Sequence, residues 1–144
     1  MAGMNYLHLA LASLGATVAY FVYGFGLFAA WPSLQTEFLK YPAVYRDQQG
    51  QMSHMAVGMP AMLLSMAALA VLYAMLYRAG SGWVEGAQFG ALIGLFAIGS
   101  FVLHNYVNLN IGLRITVYSA IAYMLEWVVV GVVIGLIYRP AVAR

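Results

Sequence analysis

The sequence predicts an all-α, polytopic membrane protein: four transmembrane helices in an up-down-up-down bundle, making a single transmembrane domain over residues 1–144. Three observations carry this reading. Hydrophobic residues make up 65% of the chain and charged residues only 7%, whereas a soluble globular domain is about 25% charged. Mean hydropathy is +0.86. The charges are also spaced like punctuation: Glu37, Lys40, Arg46, Asp47, Arg78, Glu85, Arg114, Arg139 and Arg144 separate long uncharged runs, and only Glu126 interrupts one. Each run supplies the ~20 apolar residues, at ~1.5 Å of rise each, that a bilayer core of ~30 Å requires.

Span one is expected over residues 7–31, ending against Pro32, whose ring removes a helix donor. Tyr6 and Trp31 then lie near opposite interfaces, where amphipathic rings are enriched. No basic region precedes the run, so it reads as a retained span and not as a signal peptide. Residues 32–54 are the largest polar segment, and Phe38, Leu39, Tyr41 and Tyr45 make it a connection that lies on the membrane surface. Span two is expected over residues 55–77, with Pro60 in its first turns, where it is tolerated or bends the helix locally. Span three is expected over residues 86–107 and ends in HNYVNLN; span four, over residues 115–138, is stopped by Arg139 and Pro140. Spans two and four close alike, with Leu76, Tyr77, Arg78 and Ile137, Tyr138, Arg139, so Tyr77, Arg78, Tyr138 and Arg139 are read as matched interface anchors on one side.

With the chain consumed by spans, no room is left for a soluble catalytic or nucleotide-binding domain. No nucleophile elbow, P-loop, dinucleotide glycine motif, HExxH or paired carboxylates is present, so no enzymatic activity and no catalytic residue are expected. The net charge of +2 comes from arginines beside span ends, which form no nucleic-acid patch. Zero cysteines exclude disulfides, thiolate metal sites and cysteine nucleophiles.

Helices in lipid cannot use the hydrophobic effect to find each other and rely on close backbone approach and polar contacts. Gly86, Gly90 and Gly94 make a double GxxxG ridge in span three, and Gly131 with Gly135 makes another in span four; in span one, Ala12 with Ala16, Gly15 with Ala19 and Gly26 with Ala30 have the same spacing. Glu126 stands twelve positions after Arg114 and thirteen before Arg139, near the bilayer midplane, where an acid costs about 2.5–3.5 kcal/mol. It must be protonated, hydrogen-bonded or paired inside a bundle. At 100° per residue, Gly131 and Gly135 lie on a different face of span four from Glu126, so one face is expected to pack within the bundle and the other to meet a second subunit. Tyr123 and Ser119 share the Glu126 face and complete a candidate proton or cation pathway.

His104, with Asn105, Asn108 and Asn110, forms a polar cluster near the membrane boundary, too shallow for an easy pair with Glu126. Axial ligation of a haem or chlorophyll could fall to His104, beside Gly99 and Ser100, with His8 and His54 as further ligands; no two of these histidines share a span, and no cofactor is expected. Met55, Met59, Met62 and Met66 form a stripe along span two, read as packing against aromatic rings in preference to copper binding.

The segments YFVYGFGLFAAW, GAQFGALIGLFAIGSFVLHNYVNL and AIAYMLEWVVVGVVIGLIY resemble those of small bacterial four-span integral membrane protein families. The resemblance covers most of the chain; it implies four spans and, with them, a bacterial inner membrane, but no activity and no functional residue. Lys and Arg are tied across the two sides, Arg78, Arg139 and Arg144 against Lys40, Arg46 and Arg114; the closeness of Arg78 and Arg139 to span ends favours cytoplasmic termini. Three functions compete. The first is an accessory subunit or homo-oligomer acting through helix packing, with lipid and other membrane subunits as partners. The second is a small proton- or cation-coupled transporter or channel subunit using Glu126. The third is a haem- or chlorophyll-binding subunit.

Overall fold

Four helices of the computed structural model are long and apolar enough to cross a membrane: span one, Tyr6–Ala30; span two, Met55–Leu76; span three, Gly82–Asn108; and span four, Leu113–Ile137. The structure describes residues 4–78 and 80–140; Arg144, one of the arginines in the charge tie, lies outside them. Span one opens on an Asn5 cap, whose side chain accepts from the His8 N–H at 3.2 Å. Span three starts upstream of residue 86 because the Glu85 carboxylate accepts from the Gly80 N–H at 2.8 Å and steadies the first turn. Near its other end, Ile98–Leu103 form a π-helical turn, which the hydropathy pattern does not reveal. Pro60 is accommodated inside span two.

The helices alternate in direction, and ring contacts at the two ends show it. At one end the His8 ring of span one meets the Ile137 carbonyl of span four at 2.9 Å. Tyr77, closing span two, stacks edge-on against Tyr138, closing span four, with centroids 5.7 Å apart. At the opposite end Trp31, after span one, lies 4.8 Å from Tyr118 near the start of span four. Span four is the hub. It packs along span three and span one, span one packs on span two, and spans two and three are the one neighbouring pair without extensive contact. Only 11% to 33% of each span's most apolar window is buried, so most of the apolar surface of the bundle is left for lipid.

The glycine ridges find each other inside the chain. A methyl built on Gly86 would strike the Gly131 carbonyl, and one on Gly135 the Gly82 carbonyl; one on Gly131 would lie 2.7 Å from the Gly90 Cα. The span-four glycine face is therefore occupied by span three and is not left for a second subunit. Gly82, outside the expected span, extends the ridge by one turn. Gly94 faces the Met124 side chain. In span one, Ala12 and Ala16 are buried in the core, but Gly26 faces open space.

The core is completed by Met66, Ala70, Tyr73, Phe89, Val130, Ile134 and Tyr138. Tyr138 is the one of the four expected interface anchors whose side chain is buried. It is 2% exposed and sits in a tyrosine cluster with Tyr73 and Tyr77, because the chain leaves helical geometry at Tyr138 and turns its ring back over span two. Arg78 and Arg139 are exposed. The methionine stripe divides: Met66 is buried, Met62 packs on the core, Met59 is exposed, and Met55 reaches the site described below.

The surface connection is built from two short helices, Pro32–Leu39 and Gln48–Ser53. Asp47 caps the second, accepting from the Gly50 N–H at 2.7 Å. Together they form a lid over one end of the bundle.

Candidate functional site

Glu126 is the fourteenth residue of the 25-residue span four, which at ~1.5 Å per residue places it about halfway through the membrane. It is 8% exposed. Among the described residues it has neither a hydrogen-bond partner nor an ion pair. Its side chain lines a chamber of about 340 Å³ between spans one and four, beneath the lid. Ser119 and Tyr123 line the same chamber, as their shared helical face requires.

Span one supplies the opposite wall, with the phenols of Tyr20 and Tyr23 and the rings of Phe21, Phe25 and Phe28. The Tyr23 hydroxyl donates to the Ala122 carbonyl at 3.0 Å, tying the two walls together one turn from Glu126. The lid closes the end with Leu34, Phe38 and Gln51. Phe38 is held in place by edge-on contacts to Phe28 and Tyr45, at 5.8 and 4.7 Å. Burial, and then the neighbouring Tyr41, push the Tyr45 phenol above its ordinary pKa.

The lid is fastened by an acid that the sequence presents only as part of a polar loop. Glu37 is 3% exposed; its carboxylate accepts from Lys40 three residues on and lies 3.3 Å from the Arg114 Nε at the start of span four. Arg114 also donates to the Tyr118 hydroxyl, at 3.1 and 3.2 Å. Beside this pair, the Gly112 N–H donates to the Tyr41 hydroxyl at 3.0 Å. A run containing one glutamate three residues before a lysine is too common to have marked Glu37 as buried.

The remaining candidates stay apart from the chamber. His104, Asn105 and Asn108 are exposed, with the Asn108 amide donating to the His104 carbonyl at 2.9 Å. His8 is engaged with the Ile137 carbonyl, and His54 with the Gly50 carbonyl at 2.8 Å. Among the described residues, no group of three or more His, Cys, Asp or Glu is placed to hold a metal ion.

A second cavity, about 650 Å³, opens between spans two and three, where those helices fail to meet. Leu69, Leu72, Leu92 and Phe96 form its walls, and Trp127, next to Glu126 in sequence, forms part of its floor. Among the described residues, the Trp127 Nε1 and the Tyr73 hydroxyl are buried without a partner.

The chain is a small four-span membrane protein. No protein-family model, curated protein or solved structure matches it.

Proposed function

We propose that this protein is a small, non-enzymatic cation carrier or channel subunit in which Glu126 exchanges a proton for a positively charged solute. One observation carries the reading: an acid 8% exposed, without a partner, facing a chamber inside the membrane. A carboxyl placed only to bind helices together should be satisfied by a neighbour, because an unpaired polar group in hydrocarbon costs free energy and returns none. Left unpaired beside free volume, it is available to a ligand. The glycine ridges, the main reason for expecting a protein that works by association, are used up within the chain. We place the protein in a bacterial inner membrane with cytoplasmic termini, which puts the lid on the outer side; Arg78 and Arg139 beside the span ends support this orientation.

The test is proton movement in proteoliposomes with an acidic lumen. Adding external cations, inorganic or organic, should collapse the gradient with the native protein and not with Glu126→Gln. Equal collapse by both proteins with every cation would remove the basis of the reading. A second reading, an accessory subunit, is favoured by the apolar cavity between spans two and three, whose open side would admit a partner helix. Stable co-purification of a membrane partner that is lost on Leu92→Trp or Leu72→Trp would support it.

A further inference from the structure

The walls of the Glu126 chamber narrow the class of cation. We propose that it binds a lipophilic organic cation, an amine or quaternary ammonium group carried on a small apolar body, in preference to an inorganic ion. The inference rests on the cation-exchange reading above. A sodium or potassium ion entering this depth must exchange its hydration shell for a shell of oxygens already gathered at one point. Here no such shell is assembled around the carboxyl among the described residues. No hydroxyl or amide of the described residues is hydrogen-bonded to Glu126, and the Tyr23 hydroxyl is committed to the Ala122 carbonyl at 3.0 Å. A coordination shell would therefore have to be assembled on entry, with the Tyr23 hydroxyl already engaged.

An organic cation makes no such demand. Its charge is spread and weakly hydrated, it needs one anion, and it gains from the negative faces of aromatic rings within about 6 Å. The chamber supplies both. Glu126 is the sole charged residue among those lining it, and Phe21, Phe28 and Phe38, from span one and the lid, line the other side; Phe25 also borders it but is 71% exposed. The volume of about 340 Å³ lies at the small end of ligand pockets, which run from about 300 to 1,000 Å³, and suits a body of one ring. The titratable groups facing Glu126 across the chamber are the phenols Tyr20 and Tyr23 of span one, with Tyr123 on its own helix; the lid contributes none. Near neutral pH the phenols remain uncharged, so one cation replaces one proton and no second charge has to be accommodated.

Benzyltrimethylammonium is a suitable probe, with its neutral carbon isostere neopentylbenzene and the chlorides of sodium and potassium as comparisons. Binding to the full chain in mild detergent is measured by calorimetry, and folding of each variant is checked by helicity and elution. The expected result is saturable binding of one benzyltrimethylammonium per chain, weakened at least about tenfold, or ~1.4 kcal/mol, by Glu126→Gln. Ser119→Leu, which keeps the acid but fills the chamber, should weaken it comparably. Equal affinity for the isostere would overturn the inference, since charge would then not be recognised. Absence of saturable organic-cation binding, with sodium or potassium still collapsing the proton gradient through Glu126, would overturn it too while leaving the carrier reading intact. Failure of both classes of cation would overturn both.

Discussion

Span four presents two opposite ways of meeting a neighbour. Toward span three it is a backbone surface, with Gly131 and Gly135 against Gly82, Gly86 and Gly90, so close that no methyl fits between them. Toward span one it is a side-chain surface, where Glu126, Tyr123 and Ser119 stand back from the facing rings and leave a chamber of about 340 Å³. In lipid, contact itself is the source of helix association, because burial of apolar surface gains nothing over acyl chains. The protein therefore concentrates its cohesion on one side of span four, and that frees the other side to carry an unpaired acid and empty volume. On the proposed reading, stability and function fall to different faces of one helix.

The largest effect that can break this comparison is expected at the seam. Gly90→Ala or Gly131→Ala drives a methyl into the opposing backbone, which cannot rotate away as a side chain can. Each should destabilise the protein by about 1–3 kcal/mol or more, read from unfolding in detergent. A change below about 0.5 kcal/mol would mean that the two helices are not in contact. The second effect has the opposite sign. Glu126→Leu should leave stability unchanged or raise it by up to about 2 kcal/mol, since an acid at mid-membrane is costly, while abolishing cation-dependent proton release. A marked loss of stability would show that Glu126 holds the fold through a partner.

How much of this was legible in the residues differs between the two faces. The four spans follow from charge spacing, since lipid tolerates few charges and the chain has few to place. The span-three ridge was visible as a period of four, but its partner was not, because helix periodicity gives a face without saying which helix lies opposite. The same ambiguity left open whether the span-four glycines or Glu126 would face a second subunit, and the structure turns the glycines to span three. That Glu126, Tyr123 and Ser119 line one chamber follows from their shared face, because one helix sets their relation. The opposing wall, Tyr20, Tyr23 and Phe21, looked like any aromatic stretch of a span. The burial of Tyr138 is not legible in its tyrosine-arginine ending, because it depends on backbone direction after the helix ends. The π turn at Ile98–Leu103 and the buried Glu37 of the lid are tertiary features with no periodic signature.

Smaller effects sharpen the contrast. Glu37→Gln weakens the tie between the lid, Lys40 and Arg114. Both partners are more than half exposed, so about 1 kcal/mol of stability is at stake. Its clearer consequence should be kinetic: a thiol placed by Ser119→Cys, in a chain that has no other cysteine, should be labelled faster when the lid is untied. An unchanged rate would mean that the lid does not control entry. The smallest effect is expected at Gly26, which faces open space: Gly26→Ala should shift stability by no more than about 0.5–1 kcal/mol, toward stabilisation if at all, as a control for the seam substitutions.

The most direct measurement is reaction of Glu126 with an apolar carbodiimide in reconstituted bilayers, located by mass on the span-four peptide. With the carboxyl in a chamber between spans one and four, the native chain forms the adduct and Ser119→Leu, which fills that volume, suppresses it at least about tenfold. Equal adduct formation in the two chains would place the carboxyl on a surface open to acyl chains, and no chamber would then exist for a cation to enter.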